Sequence, residues 1–250
     1  MWCPVLAELL FPDSMHPTSN DLSFNLFGFH TSIQPFFWLI AGLITALNIG
    51  GINDNMPFWI GKLLIGMAGV MLSVLVHELG HAFSFRYLFN TPCAIVLHGF
   101  GGAAVPLQNY QYKNDVGGVA AKCFLSFSGP LAGFMFAFVM LGIVQSIPTD
   151  DRVAIALLRF FLGWTAIISI IWGIFNLLPI YPMDGGHIAR DLFVFLSPRQ
   201  GVKLSLIFSM TCAVLLAVLA IRHGFIFAAF FCAYFVYQNY LELSFNSFRR

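Results

Sequence analysis

Long apolar stretches separated by short polar segments make up most of this 250-residue chain. A helix that crosses a membrane needs about 20 consecutive and largely apolar residues. Six stretches approach or exceed that length, so the pattern predicts an all-α polytopic membrane protein with about six transmembrane helices. The predicted helices lie at about residues 34–50, 57–89, 160–178, 203–221 and 225–241, with one more inside the uncharged stretch 123–149.

Two segments outside these helices differ from them in composition. Residues 91–108 are rich in glycine, β-branched in places and bounded by prolines, which is typical of a strand pair or a loop. Residues 24–33 are predicted to form a further short strand or loop element before the first helix. Because unpaired backbone groups cannot face lipid, residues 91–108 are expected to pack on protein or line a wet cavity. Residues 1–250 show no internal repeat and are predicted to form a single membrane-embedded domain.

Composition narrows the class of protein further. Hydrophobic residues make up 59% of the chain and charged residues 9%, with a mean hydropathy of +0.83. Soluble domains carry about 25% charged residues, so a multi-pass integral membrane protein within a lipid bilayer is predicted. The net charge of +1 and the lack of a basic run predict no nucleic-acid partner.

The distribution of lysine and arginine predicts the orientation of six spans. Both termini and two loops would share one side with eight basic residues, against four on the other side, which favours cytoplasmic termini. The richer side would hold Arg86, Lys113, Lys122, Arg190, Arg199, Lys203, Arg249 and Arg250. Glu78 precedes Arg86 by eight residues, or about 12 Å along a helix, so the chemistry described next would lie in the membrane nearer the cytoplasm.

Candidate chemistry is concentrated in His77-Glu78-Leu79-Gly80-His81, inside the second predicted span. On a helix this H-E-x-x-H spacing places two imidazoles one turn apart on one face, with a carboxylate beside them. That arrangement is typical of a zinc site with its own general base.

A site that keeps one zinc position open needs a third protein ligand. Asp184 follows the fourth predicted helix in a segment with two prolines and a Gly-Gly pair, which frees the backbone to turn the carboxylate inward. Charged groups tied to a membrane span are costly and usually functional. The sequence therefore predicts one Zn²⁺ per chain, held by His77, His81 and Asp184, with Glu78 as general base.

These motifs together resemble the site-2 protease family of intramembrane zinc metalloproteases (peptidase M50-like). H-E-x-x-H in a membrane helix is followed about 100 residues later by the N-x-x-P-x-x-P-x-D-G pattern at residues 176–185. Three further segments fit the family's order: Phe27-Gly28, the glycine-rich residues 99–102, and Ser128-Gly129-Pro130 within residues 128–133. The resemblance covers about residues 22–187 as the catalytic core, with residues 203–241 matching by hydropathy alone.

The resemblance has two departures. Met183 stands where the family most often has leucine before Asp-Gly, which is a conservative change. No stretch of the 250 residues resembles the PDZ or CBS domains of many members, so a compact form is expected.

By resemblance, His77, His81 and Asp184 are the zinc ligands, Glu78 is the catalytic base, and Asn176 orients the substrate or stabilises the oxyanion. The implied function is an endopeptidase that cleaves transmembrane or juxtamembrane segments of membrane proteins, in regulated intramembrane proteolysis. The family implies a bacterial-type inner or plasma membrane and a substrate such as an anti-sigma factor or a membrane-tethered regulator.

Some alternatives remain open from the sequence. A zinc-binding membrane protein without peptidase activity, such as a transporter or an assembly factor, would keep the ligands but would not need Glu78. His187 is either a partner of Asp184 or a capping or interfacial residue, and His98 is predicted to be structural.

Overall fold

A computed structural model describes residues 20–51, 56–107, 118–149 and 152–248. The described elements are seven helices and four strands. The helices are α1 (Pro35–Asn48), α2 (Met56–Phe89), α3 (Gly118–Ser146), α4 (Val153–Asn176), α5 (Asp184–Leu196), α6 (Gly201–Arg222) and α7 (Ile226–Phe248). The strands are β1 (Leu22–Leu26), β2 (Phe29–Ile33), β3 (Cys93–His98) and β4 (Gly101–Pro106).

Four of the described helices are long and apolar enough to cross a membrane: α2, α3, α4 and α6. The predicted count of about six spans is not confirmed. Helix α1 has 14 residues, or about 21 Å against a hydrocarbon core of about 30 Å. Helix α7 is long enough, but Gln238, Asn239 and Glu242 make its second half more polar. The prediction of a mostly helical membrane protein with small strand elements is confirmed.

Two helix boundaries and one whole helix differ from the sequence prediction. Helix α3 starts at Gly118 and α4 at Val153, so Lys122 and Arg159 lie inside helices that were expected to begin after them. Arg159 donates hydrogen bonds to the carbonyl oxygens of Val144 and Ile147, which compensates its charge at the end of α3. Helix α5 was not predicted, because the preceding prolines and the Gly-Gly pair at its start indicated only a turn.

The four strands form one sheet in the order β1-β2-β3-β4. Strands β1 and β2 are antiparallel, as are β3 and β4, and β2 pairs in parallel with β3. The single element predicted at residues 24–33 is therefore a hairpin. Its turn lies at Phe27 and Gly28, which both have positive φ angles, of 50° and 79°. The sheet pairs β2 and β3 on both sides and leaves β1 and β4 as its edges.

By contact, the chain falls into two compact units, residues 1–114 with 128–174 and residues 115–127 with 175–250. In the first unit, apolar side chains of the sheet, α1 and α2 form a buried core that includes Phe29, Ile33, Phe37, Val74 and Leu97. Arg86, near the end of α2, donates hydrogen bonds to the carbonyl oxygens of Phe27 and Gly28, at 2.8 and 3.0 Å. These bonds tie the β1–β2 turn to the motif helix.

The second unit contains α5, α6 and α7. Leu206 and Ala213 of α6 are fully buried in it, as is Asn239 of α7. Arg190 of α5 forms an ion pair with Glu242 of α7, with Nη2 and Oε1 separated by 2.8 Å. The orientation predicted from basic residues draws partly on Lys113, Arg249 and Arg250, which lie outside the described residues.

Candidate metal centre

Helix α2 places the two motif histidines on one face, one turn apart. Their Nε2 atoms are 3.3 Å apart and their ring centroids 5.0 Å. His77 is 2% exposed, Glu78 4% and His81 8%, so the whole motif is buried within an apolar helix. Burying three polar side chains in such a helix is costly unless they have partners, which makes the motif a candidate functional site.

The spacing of the two imidazoles fits a shared zinc ion. Zinc binds imidazole nitrogen at about 2.0–2.1 Å in tetrahedral geometry, which places two such nitrogens about 3.3 Å apart. The Nε2 atoms of His77 and His81 have that separation. The separation of the two nitrogens is therefore compatible with their binding one zinc ion.

The glycine-rich strand lies against the motif carboxylate. A Cβ atom built on Gly102 of β4 would be 2.5 Å from Glu78 Cγ and 2.8 Å from its Oε1. These distances are well below ordinary carbon contacts of about 3.5–4.0 Å, so a side chain here would have to displace Glu78. Strand β4 and the Glu78 side chain are therefore in direct contact at Gly102.

Helix α3 lies equally close to the second histidine. A Cβ atom on Gly129 would be 2.2 Å from His81 Nε2, and one on Gly80 would be 2.3 Å from the carbonyl oxygen of Ser128. The helices α2 and α3 therefore meet through glycine, and Pro130 follows inside α3. This close approach fixes the position of the His81 ring.

Asp184 is the first residue of α5 and follows a tight turn. The backbone N–H of Met183 donates to the carbonyl of Ile180 at 2.8 Å, and that of His187 donates to Met183 at 3.0 Å. Gly185 and Gly186 pack on the backbone of residues 177–181, where a Cβ atom would lie within 2.1–2.4 Å of it. The Gly-Gly pair is thus required for the helix to start directly behind the turn.

Each of the three predicted ligands could offer one ligand atom to a metal ion: His77 and His81 lie one turn apart on α2 in the first unit, and Asp184 is the first residue of α5 in the second. Glu78 lies within the same turns of α2, and Asn176 is the last residue of α4.

The two remaining candidate histidines have different surroundings. The His187 ring packs edge-on against Tyr181, with centroids 4.9 Å apart. The His98 Nδ1 accepts a hydrogen bond from the backbone N–H of Phe100 at 3.3 Å, within the β3–β4 turn. Burial lowers the pKa of His98, which keeps the ring neutral and able to accept this bond.

Sequence reasoning identified the glycine motifs by resemblance but missed what each glycine touches. It also missed Ser209 and Asn239, polar residues inside apolar helices that contact the Asp184 turn. The sequence does show a polar residue at each of these positions in an apolar helix, and a buried amide or hydroxyl there requires a hydrogen-bond partner.

Known proteins resemble this chain in sequence and in fold. The model for peptidase family M50 matches residues 141–219, a stretch that includes Asn176 and Asp184. The fold is similar to that of the site-2 protease from Methanocaldococcus jannaschii, with a TM-score of 0.55 and 20% identity over 89% of this chain and 95% of that one.

Residues 141–219 are thus similar to peptidase family M50, and the fold is similar to that of a site-2 protease. Among named relatives, zinc metalloprotease MJ0392 of Methanocaldococcus jannaschii is 26% identical over 179 residues, which are 71% of this chain and 46% of that protein. Putative zinc metalloprotease Rip3 of Mycobacterium tuberculosis is 26% identical over 172 residues, 64% of this chain and 39% of that protein. The chain spans less than half the length of these relatives. The four long apolar helices among the described residues, together with the similarity to peptidase family M50, make it an integral membrane protein.

Proposed function

We propose that this protein is an intramembrane zinc metalloendopeptidase. The observation that carries the proposal is the pair of buried Nε2 atoms, His77 and His81, set 3.3 Å apart with Glu78 beside them. A metal site of this kind needs no carboxylate base unless it performs hydrolysis. The names of the relatives support the same activity.

In the proposed site, His77, His81 and Asp184 hold one Zn²⁺. Two imidazoles and a carboxylate are a donor set that zinc accepts, with a fourth position open. The bound ion would act as a Lewis acid on the scissile carbonyl and lower the pKa of the attacking water.

Glu78 is proposed to act as general base and then as general acid. Its carboxylate takes a proton from the attacking water and passes it to the leaving amine nitrogen. Contact with Gly102 limits the positions that this carboxylate can adopt, which keeps it oriented for proton transfer. Asn176 is proposed to donate its side-chain amide to the developing oxyanion or to the substrate backbone.

The proposed substrate is a transmembrane or juxtamembrane segment of another membrane protein, such as an anti-sigma factor or a membrane-tethered regulator, cut in regulated intramembrane proteolysis. A helical substrate must unwind locally, because its peptide bonds are protected by the helix. Strand β4 is an edge of the sheet and contains Gly102, which abuts Glu78. An unwound segment that added to this edge would therefore run close to the general base.

Proline tests of this strand addition belong on β4. Ala94 and Val96 of β3 are unsuitable positions, because they pair with strands on both sides. Ala103 and Ala104 are adjacent on β4, so one N–H points to β3 and the other to the free edge. We expect both proline variants to reduce cleavage. Only the variant that removes the N–H pointing to β3 should disturb the sheet. Unchanged cleavage by both would contradict strand addition.

We further propose that α1 and α7 also cross the membrane, giving six spans in a bacterial-type inner or plasma membrane. Both termini would then be cytoplasmic, and the site would lie nearer that side, as the basic residues favour. Reporter fusions after Asn48, Phe89 and Arg222 would test this topology. Six spans require the first and third fusion points to lie outside and the second to lie inside.

The decisive experiment compares wild type, Glu78→Gln and His81→Gln in proteoliposomes with a candidate membrane substrate. We expect Glu78→Gln to retain zinc and to lose cleavage by at least about 10²-fold, the usual contribution of a general base. His81→Gln should lose both zinc and cleavage. A wild type that holds zinc but cuts no membrane substrate tested would instead favour a transporter or an assembly factor.

A further inference from the structure

The backbone of Tyr181, three residues before Asp184, is bonded on both sides by polar side chains of the last two helices. Its N–H donates to Ser209 Oγ of α6 at 2.8 Å. Its carbonyl oxygen accepts a hydrogen bond from Asn239 Nδ2 of α7 at 2.6 Å. The N–H and the carbonyl of one turn residue are thus both hydrogen-bonded to helices that follow Asp184 along the chain.

These two side chains are buried where polar groups are costly. Ser209 is 2% exposed and Asn239 is 0% exposed. Asn239 Nδ2 also donates to the carbonyl of Phe235, one turn earlier in α7, which orients the amide. An apolar residue at either position would be buried in an apolar helix at a lower free-energy cost. The hydrogen bonds to Tyr181 therefore explain why polar residues occupy these positions.

A second contact holds the Tyr181 side chain. The Arg190 guanidinium lies 4.9 Å from the ring centroid, and its Nη2 is 2.8 Å from Glu242 Oε1. The same ring also packs against His187, with the ring centroids 4.9 Å apart. Helix α7 therefore contacts both the backbone and, through Arg190, the ring of Tyr181.

The turn that connects Tyr181 to Asp184 is hydrogen-bonded and tightly packed. The Met183 N–H donates to Ile180, and a Cβ atom on Gly186 would lie 2.4 Å from the Tyr181 nitrogen. The start of α5 therefore packs directly on Tyr181, whose backbone is hydrogen-bonded to Ser209 and Asn239. We expect a displacement of Tyr181 to displace Asp184 as well.

We propose that Ser209 and Asn239 are positioning residues that set the Asp184 carboxylate for metal binding. The proposal rests on the proposed function in that it takes Asp184 as a ligand. It assigns α6 and α7 an indirect part in the metal site, exerted through Tyr181. Supporting groups of this kind typically change metal affinity by 10–100-fold when they are removed.

The test measures metal affinity and coordination in the full chain in nanodiscs, stripped with a chelator and titrated with Co²⁺ as a visible substitute for Zn²⁺. The variants are Ser209→Ala and Asn239→Leu, with Thr211→Val as the control. Thr211 lies half a turn from Ser209 on α6, and its hydroxyl donates only within that helix, to Ile207. We expect the two variants to bind Co²⁺ at least about tenfold more weakly with an altered absorption spectrum. The control should match the wild type.

A double-mutant cycle separates positioning from general stability. If Ser209 acts through Asp184, then Ser209→Ala should weaken Co²⁺ binding in the wild type and have no further effect in Asp184→Ala. Equal weakening in both backgrounds would overturn the proposal. So would Co²⁺ affinities within twofold of wild type for both folded variants.

The proposed function can fail separately. If substitutions of His77 and Asp184 left the Co²⁺ spectrum unchanged, the proposed metal site would be contradicted, and the positioning proposal with it. A normal wild-type spectrum with unaffected Ser209 and Asn239 variants would overturn the positioning proposal alone.

Discussion

Gly102 of β4 faces Glu78 of α2 with no space for a side chain between them. A Cβ atom at Gly102 would lie 2.5 Å from Glu78 Cγ and 2.8 Å from Oε1. The carboxylate is 4% exposed, so it has little freedom to move aside. The edge strand of the sheet and the proposed general base therefore constrain each other directly.

Replacing Gly102 with alanine should impair cleavage while sparing the metal. The added methyl group would displace the Glu78 carboxylate, and misplacing a catalytic group by about 1 Å can cost about 10²-fold in rate. Zinc content should remain at one per chain, because the three atoms nearest the new methyl all belong to Glu78. Cleavage kinetics and elemental analysis would measure both effects.

Gly142→Ala is the matched control for that substitution. No atom lies within 4 Å of a Cβ at this position of α3, so activity should be unchanged. Wild-type turnover by Gly102→Ala would show that Glu78 is not held by the strand.

Replacing Gly129 with alanine should weaken zinc binding. The methyl group would overlap the His81 ring, 2.2 Å from Nε2 and 2.6 Å from Cε1. We expect at least a tenfold rise in the zinc dissociation constant, roughly what loss of a supporting contact costs. Competition with a chromogenic chelator would measure it.

Gly133→Ala, one turn further along α3, is the control that separates weaker zinc binding caused by overlap with His81 from a change in helix propensity. Its Cβ would meet only the carbonyl oxygen of Ser169, at an ordinary 3.6 Å. Alanine is favoured over glycine inside a helix by about 0.5–1 kcal/mol, so this variant should be folded and bind zinc normally. Equal zinc affinities for the two variants would be evidence against the predicted overlap at His81.

Replacing Arg86 with methionine should loosen the β1–β2 hairpin. The guanidinium donates to Phe27 and Gly28 and lies 3.7 Å from the centre of the Phe29 ring. Hydrogen bonds from charged groups contribute about 1.5–3 kcal/mol each when protected, and less where the group is partly exposed as here. Hydrogen exchange over residues 22–33 should accelerate, and Arg86→Lys should recover only part of the protection, because it lacks the planar fork.

Arg222→Met serves as the control for loss of a positive charge. Arg222 is exposed at the end of α6, and its replacement should leave exchange in the hairpin unchanged. Slow exchange retained in Arg86→Met would contradict the predicted role.

His98 should make stability depend on pH. Burial lowers its pKa in the folded state below the ordinary value of 6.5. As pH falls through about 6.5, the unfolded chain binds a proton that the folded chain resists, so stability decreases until the folded pKa is reached. Above about pH 7.5, both states are neutral at this residue and the effect disappears.

His98→Asn tests this directly, because its side-chain oxygen can still accept the hydrogen bond from the Phe100 N–H. Thermal unfolding at about pH 5.5 and about pH 7.5 should differ less for this variant than for the wild type. His223→Asn, at an exposed position after α6, should keep the wild-type difference. An unchanged pH dependence in His98→Asn would rule out this residue as its source.

Much of the architecture could be predicted from the pattern of the chain. Apolar length identified all the described helices except α5, and composition identified a membrane protein. The H-E-x-x-H spacing placed His77 and His81 on one face, because the period of a helix fixes that relationship locally. Asp184 was found by elimination among few acidic residues, and the glycine motifs were found by resemblance.

What the sequence determined by itself is therefore what local periodicity and solvent preference dictate: the helices, the membrane and the facing histidines. Only the tertiary structure decided which residues meet across the chain. It alone showed that Gly102 abuts Glu78, that Gly129 abuts His81, and that Ser209 and Asn239 hold Tyr181. Such contacts depend on the packing of elements distant in sequence, and no local preference encodes where two distant backbones come within contact distance.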